Sequence, residues 1–165
     1  MLKGESIGIR KYALLDETGE KLFTLEYEGL LSFKAHAYLE QEKQIDFEPQ
    51  GFWGHEVLML KNNEQIASYK LNWLGNISLD YQGKNFSVRY KGFWKPKIQV
   101  QNEQKKTLLE VSPRFKWGKL SYEYDFEILD KTMQADAEWL ACMFYAVLYL
   151  SSFMNGVSGG SGVYG

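Results

Sequence analysis

From Trp139 to Leu150 the chain reads Trp-Leu-Ala-Cys-Met-Phe-Tyr-Ala-Val-Leu-Tyr-Leu, twelve residues without a charge. This segment restricts the fold more than any other. No proline lies beyond Thr132, and good helix formers lead in, so the pattern predicts a helix from about Met133 to Asn155. Thr132 or Asp130 can cap it, Asp136 and Glu138 suit the positive end of its dipole, and Gly156 suits a left-handed stop. On a helical wheel Trp139, Met143, Phe144, Val147 and Leu148 occupy one side, while Leu140, Cys142, Tyr145 and Tyr149 fill much of the other. A helix that is apolar all round has to be enclosed, by lipid or by protein. Carried through Phe153 and Met154 the apolar stretch reaches sixteen residues, about 24 Å at 1.5 Å per residue. A bilayer core needs about 30 Å. No Lys or Arg follows Lys131 to anchor the far side of a membrane span. Enclosure by a protein barrel is therefore favoured, with a tail-anchored membrane protein as the alternative.

The residues before the helix supply such a barrel. Trp53, Trp73, Trp94 and Trp117 recur at intervals of 20, 21 and 23 residues, in the clusters Gly-Phe-Trp-Gly, Asn-Trp-Leu-Gly, Gly-Phe-Trp-Lys and Phe-Lys-Trp-Gly. Polar turn candidates begin at Asp16, Glu40, Lys61, Tyr81 and Gln101 with a similar period. A period near 20 fits a repeated hairpin of two short strands and two turns. Alternation is clear in the second half. Leu120, Tyr122, Tyr124, Phe126 and Ile128 share one face, and Glu123, Asp125 and Glu127 share the other, which reads as a solvated surface. Phe86, Val88 and Tyr90 oppose Arg89 and Lys91 in the same way. Glu56–Lys61 is apolar on both faces, as though another element covered its outside. The fold class is mainly β with one helix: a closed antiparallel barrel of hairpin repeats around an apolar C-terminal helix. It forms one domain over residues 1–155, with a Gly/Ser-rich flexible tail at 156–165. Tryptophans at hairpin corners are expected to pack, because an indole buries a large area.

Net charge is −2, but residues 84–119 carry a net +8 and the remainder −10. The basic segment nominates Arg89, Lys91, Lys95, Lys97, Arg114 and Lys116 as candidates for an anionic partner. Cys142 is the only cysteine, and the N-terminus has charges at Lys3 and Glu5 and no apolar stretch of signal length, so the expected address is cytoplasmic, peripheral to a membrane if it meets one.

The hairpin succession from Asn63-Glu-Gln-Ile-Ala through Gly83-Lys-Asn-Phe-Ser to Glu103-Gln-Lys-Lys-Thr, followed by the apolar helix, resembles the tubby C-terminal-like superfamily, which includes the LURP-one-related proteins and the phospholipid scramblases. The resemblance implies about twelve strands closed around the helix, and for some members phosphoinositide binding. Scramblases carry an acidic calcium-binding segment before the helix. Here that stretch is Tyr124-Asp-Phe-Glu-Ile-Leu-Asp-Lys131, without an Asp-x-Asp-x-Asp-Gly loop, and the acylated cysteine cluster is also missing. Calcium dependence and scrambling are not implied.

Chemistry is hard to place on this chain. Gly156-Val-Ser-Gly-Gly160 and Gly160-Ser-Gly-Val-Tyr-Gly165 match a nucleophile elbow and a dinucleotide fingerprint in letters only, since both follow a helix instead of opening one. His36 and His55 are too few for a zinc site. A filled barrel leaves no interior ligand cavity. The sequence thus points to a non-enzymatic binding or scaffold module without metal or cofactor, engaging anionic phospholipid headgroups through a basic strand face. A protein-interaction subunit is the alternative, and nucleic acid is the less favoured partner.

Overall fold

The computed structural model describes residues 1–51, 54–133 and 136–159. Trp53, the helix lead-in at 134–135 and the tail from residue 160 lie outside them. Twelve strands follow one another: β1 (Leu2–Gly8), β2 (Lys11–Leu15), β3 (Lys21–Tyr27), β4 (Ala35–Leu39), β5 (Gln44–Gln50), β6 (Glu56–Lys61), β7 (Glu64–Leu71), β8 (Ile77–Tyr81), β9 (Lys84–Lys91), β10 (Lys97–Gln101), β11 (Thr107–Lys116) and β12 (Ser121–Ile128). A one-turn 3-10 helix (Lys131–Met133) leads into α1 (Ala137–Gly159). Every strand pairs antiparallel with its neighbours in sequence, and β1 pairs with β12 from Leu2↔Phe126 to Glu5↔Glu123, closing the barrel. The expected closed antiparallel barrel around a C-terminal helix is the fold.

Alternation sorts the side chains. In β8, Ile77, Leu79 and Tyr81 are buried while Ser78 and Asp80 are exposed. Tight turns carry the chain back: Asn62 and Asn63 join β6 to β7, both at positive φ (52° and 62°), the conformation a two-residue hairpin turn demands and asparagine tolerates. The doubly apolar β6 has no covering layer among the described residues. Val57 and Met59 point inward, and Leu58 and Leu60 lie half-buried on the outer wall between β5 and β7.

Inside, every residue from Trp139 to Leu150 is buried. Trp139 meets Phe86 edge-on at 5.8 Å between centroids, and Tyr145 stacks on Phe47 at 4.2 Å with rings 8° apart. The Tyr145 hydroxyl donates to the Phe33 carbonyl at 2.6 Å, and the Tyr149 hydroxyl donates to the Gly54 carbonyl at 3.2 Å, so the helix also holds two loops. The segment that could have been core or anchor is core, and among the described residues no helix is long and apolar enough to cross a membrane.

Two expectations at the helix ends need correction. Its cap is Asp136, whose Oδ1 accepts the Trp139 N–H at 2.9 Å while the Tyr81 hydroxyl donates to the same carboxylate at 3.1 Å. Asp130 instead accepts the N–H and hydroxyl of Thr132 and ties off the preceding turn. At the other end α1 runs through Gly156 to Gly159, since glycine also accepts helical angles. The helix therefore spans Ala137–Gly159 in place of 133–155, and the first residues of the expected flexible tail are helical.

Because consecutive strands are antiparallel, the connections alternate between the barrel's two ends. The turns β2–β3, β4–β5, β6–β7, β8–β9 and β10–β11 share the end where α1 enters. The six connections β1–β2, β3–β4, β5–β6, β7–β8, β9–β10 and β11–β12 form the opposite end.

Candidate functional site

The interior is filled, so function has to be sought on the outer wall and the ends. The six candidate cations lie on three adjacent strands and the connection between two of them. On β9, Arg89 and Lys91 point outward, opposite the inward Val88 and Tyr90. Lys91 faces Lys97 of β10 directly in the pairing, and Lys95 sits in the connection between them. Arg114 and Lys116 occupy the neighbouring end of β11. The structure thus brings all six to one side of the barrel, toward the end opposite helix entry.

They are not equally available. Arg89, Lys91 and Lys95 have no carboxylate partner among the described residues, whereas Lys97 lies 3.9 Å from Glu110. Arg114 is engaged twice, through Nε with Asp125 at 2.5 Å and with Glu123 at 3.8 Å. Lys116 reaches Glu123 at 3.5 Å. Glu123 departs from its expected solvated role. Lys3, Arg114, Lys116 and Lys119 all lie within 4 Å and cover it, leaving its side chain 4% exposed. Burial opposes its ionisation, but Lys3, Lys116 and Lys119 outweigh that and hold its carboxyl below the usual carboxylate range. The β11–β12 hairpin gathers Arg114, Lys116 and Lys119 around Glu123, and the pairing of β1 with β12 adds Lys3 from far away in sequence.

The tryptophans also depart from expectation. Trp73, Trp94 and Trp117 are 91%, 90% and 81% exposed; among the described tryptophans only Trp139, outside the periodic series, is buried. The three stand in the connections β7–β8, β9–β10 and β11–β12, all at the end opposite helix entry. Leu120, expected on the inner face of β12, lies in the last of these connections at φ 49° and is exposed as well. A period of two strands and two turns returns these three tryptophans to the same end, a regularity visible in the sequence.

On the outer wall at β4, His36 Nδ1 lies 2.6 Å from Asp46 Oδ1 and Nε2 lies 2.5 Å from Glu28 Oε1. Burial works against the imidazolium, but the hydrogen bonds to Asp46 and Glu28 outweigh it and raise the His36 pKa. The raised folded value means this arrangement stabilises fully below about 6.5 and that its contribution is lost as pH rises through the folded value. The thermal midpoint is therefore expected to fall by about 1–3 °C across the neutral range, the scale of a partly exposed ion pair in a domain of this size. In His36→Gln that slope should flatten; an unchanged slope would locate the titration elsewhere. Among the described residues no cluster of three or more His, Cys, Asp or Glu could hold a metal.

No family model and no curated protein matches the chain. A solved structure of a protein from Arabidopsis thaliana is similar, with a TM-score of 0.52 over 88% of each chain. Identity is 10%, so the likeness speaks to the fold alone.

Proposed function

We propose that this protein is a non-enzymatic binding module of tubby-like type whose ligand is the anionic headgroup layer of a phospholipid membrane, met peripherally from the cytoplasmic side. The twelve-strand closure around a C-terminal helix supports the tubby-like assignment. The observation that carries the ligand is the row Arg89, Lys91 and Lys95, outward on β9 and its connection and without carboxylate partners among the described residues. Unpaired cations on a rigid wall retain their attraction for an anionic surface, each contributing about 1 kcal/mol within a Debye length of about 8 Å. Lys97 adds a fourth charge, weakened by Glu110.

Vesicle sedimentation tests this. The wild type should pellet with phosphatidylserine-containing vesicles at low salt and release as salt rises. Changing Arg89, Lys91, Lys95 and Lys97 together to Gln should abolish the low-salt binding with little change in thermal midpoint, because exposed charges contribute little to folding. A wild type that ignores anionic vesicles at low salt removes the lipid reading and leaves a protein partner as the better one.

A further inference from the structure

We propose that the end of the barrel opposite helix entry is a membrane-insertion surface, its loop tips seated in the interfacial layer of an anionic bilayer with the barrel standing end-on. This deepens the headgroup reading and rests on it for the negative charge of the bilayer.

The first observation is the distribution of exposed apolar groups. Ile9, Leu31, Trp73, Phe93, Trp94 and Trp117 are each more than 80% exposed. They come from five of the six connections at this end. By contrast, the five hairpin turns at the helix-entry end, residues 16–20, 40–43, 62–63, 82–83 and 102–106, contain no large apolar residue. Single exposed apolar residues are ordinary. At the helix-entry end Met1 and Leu129 are 63% and 46% exposed, and confinement of every described large apolar residue above 80% to the tips of the other end is not what scattering would give.

Charge supplies the second observation and selects the occupant. The connections at the apolar end carry Arg10, Lys34, Lys95 and Lys119 against Glu28 alone, and Glu28 is taken up by His36 and Lys34. At the strand ends beside them Glu26 and Glu56 are paired with Lys11 and Lys70, and Lys97 and Lys116 reach Glu110 and Glu123, leaving Lys91 in excess. The entry-end turns together with residues 129–136 hold eight carboxylates against four lysines. The barrel is thus polarised along its axis, with the apolar end positive. A negative surface would turn that end toward itself.

The shape agrees with lipid. The tips project from separate hairpins around a ring, and among the described residues the aromatic contacts between them, Phe93 with Trp94 and Phe115 with Trp117, stay within one hairpin. Indole and phenyl groups flanked by lysine are the side chains that settle at a membrane interface, where the ring enters the acyl boundary and the cation meets phosphate. The rigid wall behind them would hold the tips in one plane.

Tryptophan emission reads insertion directly. With phosphatidylserine–phosphatidylcholine vesicles the wild type should shift to the blue and be quenched by lipids brominated near the headgroup end of the acyl chain. The triple variant Trp73→Ser, Trp94→Ser, Trp117→Ser should keep its fold, lose most of that response and partition on the order of 100-fold more weakly, several-fold for each half-buried indole. The Arg89, Lys91, Lys95 and Lys97 to Gln variant should lose salt-sensitive binding while its residual bound fraction still shows quenching. Sedimentation without a blue shift or quenching, with the triple variant bound as well as the wild type, overturns insertion and leaves headgroup binding standing. Equal binding and quenching on neutral phosphatidylcholine vesicles overturns the headgroup reading and keeps insertion. A blue shift that grows with protein concentration in the absence of lipid overturns insertion by assigning the apolar end to a second copy of the chain.

Discussion

Phe144→Ala is expected to lower the unfolding free energy by about 3–5 kcal/mol, the range for deleting a fully enclosed ring. The residue is completely buried, and its ring centroid lies 5.2 Å from Phe126, 6.0 Å from Phe23, 6.1 Å from Tyr124 and 6.3 Å from Tyr12. Those partners belong to β12, β3 and β2, so the ring packs beside the seam where the first and last strands meet. Gly4 of β1 completes the contact: a Cβ there would sit 2.9 Å from the Phe144 ring and 3.1 Å from Phe126. Gly4→Ala should therefore destabilise the wild type and cost much less in the Phe144→Ala background, because the space it needs has been vacated. Urea midpoints at constant slope measure all three variants. Equal costs of Gly4→Ala in both backgrounds would show that the close approach of β1 to the helix is not why glycine stands there.

The second large effect concerns Cys142. The thiol is wholly buried, and burial, followed by the carboxylates of Asp136 and Glu138, pushes its pKa far above the ordinary thiol value. Alkylation in native buffer should be slower than in the urea-unfolded chain by at least about a thousandfold, since attack has to wait for an opening that costs a sizeable share of the global stability. Iodoacetamide labelling followed by mass measurement gives the ratio. A thiol that labels within minutes in the folded protein would mean that α1 is not enclosed by the barrel.

The residues that announced the fold were those whose environment follows from their own neighbours. Trp139–Leu150 is apolar at every angle of a helix, which forces enclosure whatever surrounds it, and alternation in β8, β9 and β12 identifies an inner face without knowledge of the partner strand. The surface was harder to read because it depends on register. Lys3 and Arg114 converge on Glu123 only through the pairing of β1, β11 and β12, and nothing local marks Arg114 and Lys116 as engaged while Arg89 and Lys91 are not. The tryptophan period was legible as geometry but not as environment. Twenty-odd residues place each indole at the same end of a hairpin array, yet whether it packs depends on what adjacent hairpins put beside it, and here they offer only their own short tips. Among several acids near the helix start the cap is Asp136, which accepts the Trp139 N–H, and the helix begins at the next residue.

The order of elements along the chain bears on how it is synthesised. All twelve strands precede the helix that fills them, and the first strand closes against the last, joining Leu2 to Phe126. As the polypeptide leaves the ribosome each hairpin can form locally, but its inner face has nothing to pack against until α1 emerges. The folding reaction is therefore dominated by contacts distant in sequence and should be slow for a domain of this size. During that interval a row of unclosed strands with wet apolar faces invites pairing with other nascent chains. Yield in a cell should accordingly respond to chaperone capacity and to translation rate near the helix more than to the stability of the finished barrel.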